Sequence, residues 1–155
     1  MAGSNSPGQR KDPLPLFTFK VQIGGIECAF FRSVGGIKSE TEVQEHFEGG
    51  FNEGVRKLVG RTKWPNLVLK QGFIGPPFDL WKLREKTIQG LGKSGGGRIA
   101  SGQIIQLGSD LKAICKWTFY NGIIVKWDGP DFDAAKNELA VETIEIAHEG
   151  LSLSK

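Results

Sequence analysis

The chain has 155 residues, 39% of them hydrophobic, with ten Phe and four Trp, so its length suits one domain with a packed core. A formal net charge of +3 names no nucleic-acid or membrane partner, and no stretch approaches the ~18 apolar residues of a membrane span. Cys28 and Cys115 lack CxxC spacing and the N-terminus lacks the apolar stretch of a secretory signal, so the chain reads as made in the cytoplasm with two small buried thiols.

Residues 1–15, with Pro7, Pro13 and Pro15 among Gly and Ser, read as a flexible arm. Phe17, Phe19, Val21 and Ile23 then alternate with polar residues, the period of a half-buried strand, and Gly24-Gly25 turns that strand into a return from Ile26 to Val34. After Gly35-Gly36 the alternation resumes. Lys38, Glu40, Glu42, Gln44 and His46 share one face, with Thr41, Val43, Glu45 and Phe47 on the other. That many charges cannot face a core unpaired, so the first face is expected to meet water.

From Gly49 to Pro65 no period is visible. Gly49, Gly50, Gly54 and Gly60, interspersed with Asn52, Arg56, Lys57, Arg61 and Lys63, read as a long functional loop. Leu67 to Gln71 is a short strand. Pro76-Pro77 opens a helix over about residues 79–91, with Leu80, Trp81, Leu83, Ile88 and Leu91 on its apolar side, and a loose Gly-rich stretch from Gly90 to Gly102 ends it. A strand at Ser101 to Leu107 follows, then Ala113 to Tyr120, which Asn121-Gly122 is expected to turn into Ile123 to Trp127, because Asn-Gly is a strong short hairpin signal. The last strand runs from Glu138 to His148. Its apolar phase slips between Val141 and Ile144, which points to a bulge or to burial on both faces.

The sum is a mainly β, antiparallel sandwich or small barrel with one covering helix. It forms a single domain over 16–151, with 152–155 as a C-terminal tail. Charge is segregated along it: residues 38–53 hold five Glu against one Lys, 54–98 hold ten Lys/Arg against two acids, and 128–150 hold seven acids against one Lys. Such blocks fit charge complementarity between copies of the same chain.

No catalytic constellation emerges. Gly90-Leu91-Gly92-Lys93-Ser94 imitates a phosphate loop, but Thr87 stands where its first Gly belongs and the segment follows a helix instead of a strand. His46 and His148 have no second and third ligand at metal spacing, and Asp131 with Asp133 in a Gly-Pro loop reads as turn chemistry. The chain is therefore read as a non-enzyme without cofactor or metal. A ligand carrier would need an apolar inward face on most strands, which the charged face at Lys38 to Glu48 contradicts.

Asp12-Pro13-Leu14 before Phe17-x-Phe19-x-Val21, Val34-Gly35-Gly36-Ile37, Glu40-x-Glu42 and Glu48-Gly49-Gly50-x-Asn52 form an ordered series. The series continues through Lys57-Leu58-x-Gly60, Asn66-Leu67-x-Leu69-Lys70-x-Gly72, Leu80-Trp81, Lys126-Trp127-x-Gly129-Pro130, Asn137-Glu138 and Ala147-His148-Glu149-Gly150-Leu151. Over residues 12–151 it resembles the tail-tube protein family of contractile phages and phage-derived contractile injection systems. It differs from the common family pattern at Gly35-Gly36-Ile37, at Val59 and at Gly122-Ile123-Ile124.

The resemblance implies a structural subunit: a homo-hexameric ring whose strands join into one barrel around a lumen, with rings stacking into an inner tube. Its partners would be contractile sheath and baseplate proteins, with cargo or DNA in the lumen, in a virion tail or an extracellular or cytoplasmic contractile particle. A baseplate-proximal initiator ring is the alternative role. On this basis Lys38, Glu40, Glu42, Gln44 and His46 are expected on the lumen face. Gly49, Gly50, Asn52, Arg56, Lys57, Gly60, Arg61 and Lys63 are expected between rings, and Glu138, Glu142, Glu145 and His148 at the subunit seam.

Overall fold

The computed structural model describes residues 18–24, 26–50, 54–72, 79–131, 135 and 141–155. The N-terminal arm, Phe17, Gly25, Asn52, the Pro76-Pro77-Phe78 lead into the helix, Asp133 and Glu138 lie outside the described residues. Among the described residues ten strands and one helix follow in order: β1 (Thr18–Ile23), β2 (Ile26–Phe31), β3 (Ser33–Gly35), β4 (Glu40–His46), β5 (Arg56–Lys63), β6 (Leu67–Gly72), α1 (Asp79–Gly90), β7 (Ile99–Leu107), β8 (Ala113–Asp128), β9 (Val141–Ala147) and β10 (Gly150–Ser154).

Eight strands form one antiparallel sheet in the order β2-β1-β7-β8-β9-β6-β3, with β10 also on β8. The expected single return strand after Gly24 is two strands, and they stand at opposite ends of this path with only Arg32 between them. Phe31 pairs with Phe19 of β1, while the Arg32 N–H donates to the Lys70 carbonyl of β6 at 2.9 Å. Changing partners in one residue closes the sheet on itself. A closed sheet has fewer raw edges to expose.

The interior is filled by side chains. Val21, Ile23, Leu67, Leu69, Ile104, Phe119, Ile124, Ile144 and Ile146 have no exposed surface, and Phe31 is almost fully covered. Each such burial contributes ~1.5–3 kcal/mol against ~0–1 kcal/mol for an exposed ion pair, so the core and not the surface charge holds the barrel. Helix α1 covers this core with Leu80, Leu83 and Thr87, whereas Trp81, Ile88 and Leu91 of the expected apolar side stay exposed. Thr87 replaces Ile88 on the buried stripe because its hydroxyl is satisfied internally, donating to Leu83 O at 3.2 Å. The Gly-rich segment after α1 is a run of tight turns, with Lys93, Gly96 and Arg98 N–H groups each bonded three residues back.

Asn121-Gly122 does not make a hairpin. β8 runs straight through it to Asp128, with Asn121 in the left-handed region at φ 51°. The residue that would turn a free hairpin instead shifts which side chains point inward. In β8 the buried positions step from Phe119 to Gly122, in β7 from Ile99 to Gly102, and across β9 and β10 from His148 to the core-packed Leu151. The three changes lie side by side: Ile99 pairs with Gly122, Ser101 with Tyr120, and Tyr120 with Gly150. They form one crease across the sheet. At its centre the Phe119 ring lies against two glycines, where a Cβ on Gly102 would sit 2.2 Å from the ring and one on Gly122 2.7 Å.

Unlike β8, β9 keeps one phase through its length. Glu142, Ile144, Ile146 and His148 all face inward, so the apparent slip is a buried acid and not a bulge in β9. The bulge is in its partner, between Ile124 and Lys126 of β8. β10 carries residues 150–154 along β8, so most of the expected tail is paired strand. Cys115 is half-buried, its thiol donating to Gln106 Oε1 at 3.1 Å, with its pKa raised by burial.

Two predictions concern the crease. Gly102→Ala drives a methyl into the Phe119 ring and is expected to lower stability by ~1–3 kcal/mol in urea unfolding; Phe119→Leu in the same chain should recover part of that loss, and an additive double mutant would contradict the contact. On the outer side of the crease, Asn121 Nδ2 donates to Glu149 at 2.8 Å and Arg98 pairs with it at 3.0 Å. The Asn121 bond first, then Arg98, hold the Glu149 carboxyl below its ordinary 4.5. A depressed carboxyl contributes stability above its unfolded value and loses it as pH falls through the folded one. The melting-temperature gap between the natural protein and Glu149→Gln should therefore be constant at neutral pH and shrink below the ordinary 4.5; a gap that widens on acidification would contradict the assignment.

Candidate functional site

Among the described residues β4 and β5 pair only with each other, as a two-stranded sheet apart from the barrel. Glu40 stands opposite Lys63, Thr41 opposite Thr62, Val43 opposite Val59, Gln44 opposite Leu58, Glu45 opposite Lys57 and His46 opposite Arg56. A bulge sets Gly60 and Arg61 against Glu42. Every residue of both strands is exposed except the half-buried Gly60.

This changes the reading of Gly49 to Pro65. Its residues 56–63 are strand, and Gly49 and Gly50 form a turn after β4. The strand was hidden because alternation appears in sequence only where one face is buried, and here neither face is. The basic block also finds its first acidic partner within the subunit. Lys63 pairs with Glu42 and Arg56 with Glu48, both exposed, so each pair contributes ~0–1 kcal/mol.

The two faces of the hairpin differ. One carries Glu40, Glu42, Gln44 and His46 with Arg56, Lys63 and the exposed Leu58 opposite Gln44, and Lys38 is exposed just before it. The other carries Val43 and Val59 side by side, 58% and 85% exposed, then Glu45 opposite Lys57, with Phe47 beyond that pair at 76%. At one end of that row the Thr41 and Thr62 hydroxyls meet at 3.0 Å. These exposed apolar side chains were not singled out from the sequence. The available signal was Val43 and Phe47 alternating with the acids of β4.

The expected seam residues part company. Glu145 is half-buried on the outward side of β9, opposite Lys126. Glu142 and His148, only 5% and 8% exposed, belong to the subunit's own interior. Glu142 accepts the Trp127 indole N–H at 2.5 Å and the Gln71 amide at 3.1 Å, and Trp127 packs edge-on against Trp81 at 4.9 Å. Satisfied in this way, a carboxyl tolerates a position that would otherwise be costly. Among the described residues no group of three His, Cys, Asp or Glu side chains could hold a metal ion.

The root of the hairpin is tightly built. Gly36, at φ +82°, lies so close to Asn66 that a Cβ would come within 2.0 Å of the Asn66 carbonyl oxygen. The chain entering β4 thus rests on the chain leaving β5. On the barrel side, His148 Nε2 is 3.1 Å from Pro65 O and its ring lies 6.0 Å from that of Trp64.

A family model described as T4-like virus tail tube protein gp19 matches residues 15–152. No curated protein sequence matches the chain. Among solved structures, a chain from the PVC sheath-tube complex of an extracellular contractile injection system, in the extended state, aligns with TM-score 0.77 at 21% identity, over 97% of this chain and 99% of that one. A chain from the anti-feeding prophage cap, described as a tube-terminating cap, gives 0.78 at 21% identity over 99% of both chains. One from the anti-feeding prophage baseplate gives 0.67 at 20% identity, over 88% and 91%. At these identities the structures share a fold with the chain.

Gly36→Ala tests the root. A methyl group at a left-handed position, pressed on a backbone carbonyl, is expected to cost ~1–3 kcal/mol in urea unfolding and to speed amide exchange across the hairpin. Unchanged stability together with unchanged exchange would mean that Gly36 and Asn66 do not touch in solution.

Proposed function

Because the chain belongs to the T4-like virus tail tube protein family, we propose that it is the structural subunit of the inner tube of a contractile injection system or phage tail, six copies forming a ring and rings stacking around a lumen. The observation that carries this reading is the β4–β5 hairpin. A lone two-stranded hairpin is marginal in water, and this one has apolar Val43, Val59 and Phe47 uncovered on one face. Neighbouring copies supply what it lacks: strand edges for its own, and a surface for its apolar row.

In the ring, Glu40, Glu42, Gln44 and His46 line the lumen, because the face opposite Val43 and Val59 carries most of the hairpin's charges and must stay wet. Gly49 and Gly50, with Arg56 and Lys57 at the same end of the hairpin, reach the adjacent ring. Glu145 remains at the seam, while Glu142 and His148 serve the barrel. Head-to-tail contacts close into a ring where the rotation allows and continue as a filament where it does not, which is the geometry of a tube. Sheath and baseplate proteins are the partners outside the tube, in keeping with similar chains from a sheath-tube complex and a baseplate.

A baseplate-proximal ring of the same family is the second reading, favoured by the similar chain in the anti-feeding prophage baseplate. Copy number per particle separates the two: a tube subunit is present in many rings, an initiator in one.

The purified protein is expected to form rings or tubes in negative-stain electron microscopy. Val43→Asp with Val59→Asp alters two exposed side chains and should change monomer stability by less than ~1 kcal/mol while abolishing assembly. Tubes from the double variant would remove the hairpin from the contact, and a natural protein that stays monomeric at every concentration would overturn the tube reading itself.

A further inference from the structure

We propose that His148 is a positioning residue that sets the angle at which the β4–β5 hairpin leaves the barrel, and so aligns it for pairing with a second copy of this chain. The inference rests on the tube role proposed for that hairpin. Neither β4 nor β5 pairs with a barrel strand, so the hairpin's direction is decided where the chain enters and leaves it. Those two segments converge, Gly36 on Asn66; Ile37 beside Gly36 packs on the barrel core, and the buried His148 ties the other segment, at Trp64 and Pro65, to the barrel.

That side chain makes four contacts on three sides. Nε2 faces Pro65 O at 3.1 Å and Nδ1 faces Gly150 O at 3.2 Å. Trp64 lies 6.0 Å away on the hairpin side and Phe119 6.4 Å away on the barrel side, both tilted against the imidazole. Carbonyl oxygens only accept, so the ring is the donor at either contact that carries a proton. Phe119 is the residue at the centre of the crease, which makes the sequence of contacts continuous. The crease holds Phe119, Phe119 and Gly150 hold His148, and His148 holds Trp64 and Pro65.

Leverage gives the contact its importance. Strands of seven and eight residues at ~3.3 Å per residue extend ~25 Å, so a root that swings by ~10° carries the tip ~4 Å, close to the ~4.8 Å spacing between paired strands. A hairpin free to move that far presents a neighbour with the wrong register. Holding the root beforehand also lowers the ordering cost of association.

His148→Phe keeps a ring between Trp64 and Phe119 but removes both ring nitrogens; His148→Gln keeps an N–H donor without the ring. Hydrogen exchange on the full-length protein should show amides of Arg56–Lys63, Trp64 and Asn66 exchanging at least ~10-fold faster in His148→Phe, with Ile104 and Phe119 amides in the barrel unchanged. Tube yield by electron microscopy should fall by a similar factor, and His148→Gln should recover part of both. If His148→Phe does not fold, the same comparison is made with His148→Gln, expected to lie between the natural protein and loss. Unchanged exchange over residues 56–66 in a folded variant would overturn the proposal, as would protection lost equally from β7 and β8, which marks an ordinary core residue. Normal tubes from a variant with a loosened root would also overturn it. Should the natural protein form no tubes, the tube reading fails, and the exchange data still decide whether His148 holds the root.

Discussion

The closed sheet depends on the Phe119 ring lying against Gly102 and Gly122. Neither position has room for a side chain, so the ring can fill the inside of the crease where β7, β8 and the β9–β10 pair change their inward phase together. Without that change a strand of sixteen residues could not keep an apolar face toward the core along its whole length. With it, the first half of β8 carries β7 and β10, the second half carries β9, and the sheet turns far enough for β2 and β3 to meet through Arg32. Asn121 serves the same bend from outside, in a left-handed conformation fastened to Glu149.

Stability and assembly reside in different parts of the molecule. The barrel has an apolar, packed interior, and its buried polar residues are bonded, Thr87 to Leu83, Glu142 to Trp127 and Gln71, and His148 to the Pro65 and Gly150 carbonyls, while Gln71 Oε1 is buried without a hydrogen-bond partner among the described residues. The hairpin has no interior at all. A fold divided in this way can alter its hairpin surface without disturbing its core, and the proposed ring would draw on that freedom. The partition also accounts for the charges, since much of what reads as complementarity between copies is first met within the hairpin, Glu42 with Lys63 and Glu48 with Arg56.

Legibility followed burial. β1, β6 and β7 show in the sequence because one side of each strand meets the core, and α1 shows because Leu80 and Leu83 recur at helical spacing. β4 is legible through its polar face. β5 is not, because a strand wet on both sides has no reason to alternate. The misreadings at Asn121-Gly122 and at Glu142 share a cause. Each has a strong local meaning, turn or surface acid, that a distant partner overrules: Glu149 and the phase change for Asn121, Trp127 and Gln71 for Glu142.

The sequence by itself determined a mainly β antiparallel domain with one helix, a strand with a charged face, the absence of any recognisable catalytic pattern, and a resemblance to tail-tube proteins. These rest on composition, short-range periodicity and ordered motifs, all readable along the chain. Only the tertiary structure decided that the sheet closes, that β5 exists, that Val43 and Val59 stand uncovered side by side, and that His148 is an interior residue at the hairpin root. Each depends on pairs far apart in the chain, Pro65 with His148 or Gly102 with Phe119. Local propensity says what a segment favours alone; which face is buried, and against what, is decided when distant segments compete for the same core.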